Sequence, residues 1–189
     1  MSQQRHFWMR WRVRTGYPVG ALFLVLAAPT PRSILIGAIV ALFGVWIRAA
    51  ASGHLKKYEV LATDGPYAHT RNPLYLGSSL IALGFSIAGG SLFGGALVMM
   101  YFAVFYTAVM QNEASDLRRR YAAVFEEYER TVPLFFPRII AAKLASAESA
   151  RKFSWEQYEK NREYQALIGV LLGLAGMWLR MLLRAKFGY

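Results

Sequence analysis

At 189 residues the chain has room for one domain, yet 56% of it is hydrophobic and only 17% charged, too apolar for an ordinary soluble domain of this size. Its formal net charge of +11 stands among apolar blocks, so anionic lipid headgroups rather than nucleic acid are the expected counter-charge. The lack of cysteine excludes disulfides, thiol catalysis and cysteine-ligated metal.

The first fourteen residues carry Arg5, Arg10, Arg12 and Arg14. No small-residue cleavage site follows them, so the arm is expected to be retained. Thr15 to Pro31 is a short uncharged run, flanked by Pro18, Pro29 and Pro31, and reads as a short first span. Ser33 to Ala51 is a second span, with Arg48 near one end and expected to snorkel toward headgroups. No charged residue occurs from Asn72 to Asn112, a stretch of 41 residues and about twice the roughly 20 needed to cross a bilayer. Gly89, Gly90 and Ser91 near its middle predict a helical hairpin of 73–88 and 92–111.

Residues 113–131 predict a cytoplasmic amphipathic helix, with Leu117, Tyr121, Val124, Phe125, Tyr128 and Val132 on one stripe. The mixed-charge stretch 138–163 predicts a second surface helix. Tyr164 to Leu179 is a 16-residue uncharged run followed by Arg180 and Arg184, either a fifth span or an interfacial helix. The expected architecture is therefore all-α: a polytopic membrane protein of about five transmembrane helices plus cytoplasmic amphipathic helices. The arginines of the N-terminal arm and the Lys56, Lys57 and Arg71 of the 52–72 link place these segments, and 112–163, in the cytoplasm by the positive-inside rule. The three arginine and lysine residues at the C-terminus run against that rule.

Two cytoplasmic segments hold residues that a membrane scaffold does not need. The first is Asp64 to Gly77, where Asn72 suits a helix cap and Pro73 the first helical position. With Arg71 beside it, this helix start is an expected anion site; the bland alternative is a positive-inside anchor. The second is Glu113, which by spacing shares the stripe of Leu117 and Tyr121. A carboxylate on a buried face has to be paired or bound, so Glu113 either bridges a basic residue or accepts hydrogen bonds from a ligand. His6, His54 and His69 are too scattered for a metal site.

Taken together, Gly65-Pro66-Tyr67, then Arg71-Asn72-Pro73-Leu74-Tyr75-Leu76-Gly77, a hairpin, and then Glu113, Leu117, Tyr121, Tyr128, Val132-Pro133 and Pro137 resemble the isoprenylcysteine carboxyl methyltransferase family and its relatives, the membrane phospholipid N-methyltransferases. Asn72 stands where that family has histidine, and Val109 where its prenylcysteine enzymes have arginine. The match covers about 34–137, within a single domain of 1–189 whose residues 138–189 form an extension. The resemblance implies S-adenosylmethionine as cofactor, held by Glu59, Val60, Leu61, Ala62, Tyr67, Asn72, Pro73, Leu74, Tyr75 and Glu113, with Arg71 and Glu113 nearest the chemistry. It implies methyl transfer to a lipophilic membrane acceptor, an isoprenoid-type carboxylate or a lipid headgroup amine. The expected setting is a bacterial-type inner membrane with the site facing the cytoplasm, and membrane lipids as partners. Two other readings stay open: an NADPH-dependent reductase of the sterol-reductase type, and a non-catalytic lipid-binding protein.

Overall fold

A computed structural model describes residues 3–56, 59–144 and 152–187. The described chain is helical, in the order α1 (Gln3–Leu26), α2 (Pro31–His54), a single 3-10 turn (Gly65–Ala68), α3 (Pro73–Ala88), α4 (Leu92–Thr131), α5 (Trp155–Lys160) and α6 (Tyr164–Phe187). Of these, α2, α4 and α6 are long and apolar enough to cross a membrane, and α3 is a shorter apolar helix. The chain is thus a polytopic, all-α membrane protein. Helix α1 falls short of the same standard because Arg10, Arg12 and Arg14 charge its first half, leaving only its last turns uncharged.

The helix ends follow from local chemistry. Thr30 and Ser33 form a reciprocal capping box, with Pro31 at the first helical position of α2. Ser91 caps α4 by accepting from the Gly94 N–H. Between α3 and α4, Gly90 turns at φ +62°. A side chain there would also meet the Ala28 carbonyl at 2.5 Å, and the Ala28 N–H in turn donates to Gly89 O at 2.7 Å. The turn is thereby fastened to the α1–α2 link.

Among the described residues, α2 and α3 form the most extensive helix–helix contact. Ideal Cβ atoms on Gly44 and Gly77 would each lie 2.6 Å from the other's carbonyl oxygen, and Gly37 and Gly84 oppose each other in the same way at 2.3 and 2.6 Å. In lipid, where apolar burial does not drive helices together, such close backbone approach supplies the packing energy.

Helix α6 lies against α2 and α3 through Val170 and Met177. Its N-terminus sits beside Arg48, and its C-terminal arginines meet the opposite pole. There Arg180 donates to Ala27 O at 3.0 Å and Val25 O at 2.8 Å, and Arg184 to Ala27 O at 3.0 Å. These carbonyls are the open ends of α1. Arginine is favourable at a helix C-terminus, which gives a local reason for basic residues that orientation by charge left in conflict. By length, composition and packing, α6 meets the requirements of a span.

Three expectations are corrected. The hairpin's second helix does not stop at 111 but runs on to Thr131, absorbing the amphipathic segment, with a break at Ala122 (φ 36°, ψ −113°). The helix expected over 138–163 is instead an irregular run to residue 144 and the short α5, with 145–151 outside the described residues. Arg48 does not snorkel outward: it donates to Glu163, to Ser78 Oγ and, at 3.3 Å, to Leu74 O.

Candidate functional site at the loop pole

One pole of the bundle gathers the C-terminus of α2, the starts of α3 and α6 and the end of α4. Segment 65–72 lies here against 128–142, joined largely by backbone. Arg71 N–H donates to Pro133 O at 2.9 Å, Arg138 N–H to His69 O at 3.0 Å, and Ala142 N–H to Ala68 O at 2.9 Å. Side chains add to the seam: Thr70 Oγ1 donates to Phe135 O and Asn72 Nδ2 to Leu134 O, both at 2.9 Å, and Tyr128 Oη to Tyr67 O at 2.8 Å. Because a buried backbone group without a partner is costly, this seam fixes the loop although it has little regular structure.

Below the seam, Phe125, Tyr128 and Val132 are almost fully buried, with Leu61, Leu117 and Tyr121 packed on them. The predicted stripe is therefore the core of this pole, apart from Val124, which is exposed. Glu113 was expected on the same buried face and is exposed instead. Leu117 and Tyr121, on the same face, are themselves only half-buried, and the covered part of that face ends before Glu113. Glu113 accepts a hydrogen bond from Tyr75 Oη at 2.9 Å, which ties α4 to the first turn of α3.

Arg71, read from the sequence as part of an anion site or as a positive-inside anchor, donates to Glu129 Oε1 at 2.6 Å, and Arg118 donates to the other oxygen of that carboxylate. Its Nε is buried with no hydrogen-bond partner among the described residues. Asn72 occupies the cap position of α3, yet its side chain makes no capping bond and instead donates through Nδ2 to Leu134 O. The helix start therefore keeps its positive end toward the pole.

The remaining predicted residues divide. Tyr67 is buried, and burial first, then the nearby Tyr128, Glu113, Glu163 and Tyr75, push its phenol well above the usual range; it stays neutral. Ala62 and Leu74 pack with Tyr67 and Ala51, and Leu61 with Phe125 and Tyr128, so these serve the core. Pro73 is buried and Val60 half-buried. Glu59 points away and pairs with Lys160 of α5 at 3.6 Å. The sequence reading missed Glu163, 8% exposed, which stands immediately before α6. The available signal was Arg48 inside an apolar span, because a cation there needs a partner.

Hydrogen bonds from Arg118 and then Arg71 hold the Glu129 carboxyl below its usual value, against opposing burial. A carboxylate whose folded value is depressed stabilises the fold above its unfolded value and loses that contribution as pH falls through the folded one. Acidification through the carboxylate range is therefore expected to loosen the 65–72 seam, and Glu129→Gln to remove that part of the pH dependence. The size is about 1 kcal/mol, given the partial exposure. Amide hydrogen exchange at Arg71 against pH reads it directly.

A family model described as phospholipid methyltransferase matches residues 32–124. Two curated relatives align over 106 residues, 56% of this chain and 48% of their own length: the cobalt-zinc-cadmium resistance protein CzcN of Cupriavidus metallidurans, 36% identical, and the nickel-cobalt-cadmium resistance protein NccN of Alcaligenes xylosoxydans xylosoxydans, 33% identical. The chain thus spans about half the length of these relatives. No solved structure matches. Among the described residues no group of three histidine, aspartate or glutamate side chains could hold a metal ion. Residues 32–124, which hold the hairpin, the uncapped start of α3 and Glu113, are thus similar to the phospholipid methyltransferase family.

Proposed function

We propose that the chain is a membrane methyltransferase using S-adenosylmethionine, with its donor site at the loop pole facing the cytoplasm of a bacterial-type inner membrane. The observation that carries this reading is the junction of Tyr75 and Glu113 beside a helix start that its cap residue leaves open. In support, the pole holds a carboxylate, Glu113, suited to hydroxyl or ammonium groups, and the positive end of α3, suited to a carboxylate. When bound, S-adenosylmethionine supplies a methyl group on a positively charged sulfur.

The chain's own residues then bind and align. Glu113 accepts hydrogen bonds, and Tyr75 orients it. Arg71 acts as a positioning residue, since its guanidinium holds 65–72 against α4 through Glu129. Alignment is the main need of an in-line displacement, and the seam provides a fixed wall for it. The acceptor is lipophilic and comes from the bilayer.

Isothermal calorimetry of the purified chain with S-adenosylhomocysteine tests this. Saturable binding is expected, weakened at least about tenfold by Glu113→Ala, with no heat from NADPH. No binding, or binding indifferent to Glu113→Ala, would refute the reading.

The relatives' names favour a second reading, a part in resistance to cobalt, zinc, cadmium or nickel. The two readings are compatible if methylation changes a membrane component on which resistance depends. Growth of a deletion strain on these metals, complemented by wild type and by Glu113→Ala, separates a catalytic contribution from a structural one.

A further inference from the structure

The pole opposite the loop pole gathers the end of α1, the start of α2, the α3–α4 turn and the end of α6. Its charge is of one sign. All eleven acidic residues of the chain lie between Glu59 and Glu163, whereas the segments that meet here carry Arg32, Arg180, Arg184 and Lys186.

We propose that Arg180 and Arg184 form a binding site for the phosphodiester head of an anionic phospholipid that carries no amine, drawn from the leaflet at this pole.

Three observations carry the proposal, none of them dependent on the donor site. The first is geometry. Arg180 and Arg184 stand about one turn apart on one face of α6. Both donate to the same oxygen, Ala27 O, each at 3.0 Å, and Arg180 donates also to Val25 O at 2.8 Å. The two guanidiniums are therefore held side by side, half-buried at the end of α1. Much of the side-chain freedom that a surface arginine gives up on binding is already given up here. Their bonds to α1 use Nε and Nη2 of Arg180 and Nη1 of Arg184, which leaves Nη1 of Arg180 and Nε and Nη2 of Arg184 as donors among the described residues.

The second is charge. The open carbonyl end of a helix carries about half a negative charge, less than the two guanidiniums that cap it. Like charges held together repel, and the segments at this pole contain no carboxylate to offset them. The balancing anion therefore comes from outside the chain. A phosphodiester answers both cations at once, because guanidinium presents its N–H groups in a fixed fork that matches phosphate oxygens. A head that bears an amine brings its own cation to the same place.

The third is what surrounds the cations. Val25 and Leu26 on α1 and Leu182 and Leu183 on α6 are exposed large apolar side chains. Helix α6 is long enough to cross a bilayer, which sets its last turns at headgroup level. A lipid whose phosphate rests on the two arginines lays its acyl chains along these side chains, whereas a free phosphate leaves them bare. Basic pockets between membrane helices take anionic heads in this way. Capping explains where the arginines' bonds go; the lipid explains what balances their charge.

Native mass spectrometry of the whole purified chain in neutral detergent tests this by counting retained lipid after equal additions of dioleoylphosphatidylglycerol or dioleoylphosphatidylcholine. The glycerol lipid is expected to be retained at least about fivefold more. Arg184→Gln, which leaves both Arg180 bonds to α1 in place, should lower that retention at least about threefold. Arg180→Gln made together with Arg184→Gln should bring it down to the level of the choline lipid. Arg130→Gln made with Lys143→Gln removes the same charge from exposed positions at the loop pole and should leave retention unchanged. Size-exclusion chromatography confirms that each variant is monodisperse. Equal retention of the two lipids by the wild-type chain, a result that needs no variant, would overturn the proposal. Equal losses from the two double variants would also overturn it, since net charge alone would then account for binding. So would displacement of the glycerol lipid by inorganic phosphate at the same concentration, because the ligand would then be the free anion.

Discussion

Gly84→Val is expected to lower the midpoint of thermal aggregation of the purified chain by on the order of 10 °C, the largest loss of any single change considered. The cause is geometric. A Cβ at Gly84 would lie 2.6 Å from both Ala41 N and Gly37 O, backbone atoms of α2 that cannot rotate aside. Overpacking of this kind costs about 1–3 kcal/mol when side chains can adjust, and here only separation of α2 from α3 relieves it. At about 3 kcal/mol the shift follows from the usual scaling for a chain of this size. Gly176→Val on α6 is the control, since its Cβ meets nothing within 4 Å. Heating in detergent, followed by size-exclusion chromatography of the monodisperse fraction, gives both midpoints. Equal shifts would mean that the α2–α3 contact is not the one that holds the bundle.

Glu113→Ala is expected to reduce methyl transfer about ten- to hundredfold or somewhat more, with the fold unchanged. Loss of a hydrogen bond to a charged group costs about 1.5–3 kcal/mol. Glu113 is exposed and, among the described residues, its side chain is bonded by the half-buried Tyr75, so its removal leaves no fully buried group unpaired. Tyr75→Phe should cost less, because it frees the carboxylate from one orienting bond without removing it. Transfer of label from methyl-labelled S-adenosylmethionine to extracted lipid measures both, and thermal midpoints confirm that each variant is folded. A Glu113→Ala protein of full activity would place the donor elsewhere.

The membrane elements were legible because their signals are local. The 73–88 helix is found where the charge-free stretch and Gly89-Gly90 predict it, and the α2 span extends only a few residues beyond the prediction. What escaped were features set by tertiary partners. Nothing local says that Asn72 gives its amide to Leu134 rather than to its own helix, or that Arg71 faces Glu129 rather than an open pocket. Spacing puts Glu113 on the face of Leu117 and Tyr121, but it does not report where along the helix the elements covering that face end. The Arg48–Glu163 pair joins residues 115 apart, a separation that no periodicity reports.

The seam between 65–72 and 128–142 has a consequence for assembly during synthesis. Residues 65–72 leave the ribosome some sixty residues ahead of the irregular segment that satisfies their backbone. Over that interval they are expected to lie in water at the membrane surface while the α3–α4 hairpin inserts. Insertion of the hairpin then returns the chain to the same side and sets the two segments face to face. Loop-closure entropy, which would otherwise oppose so distant a pairing, has by that stage been overcome by membrane insertion. The proposed donor site would therefore form late in biogenesis, and a hairpin that inserts poorly is expected to yield protein that is present in the membrane yet unable to bind S-adenosylhomocysteine.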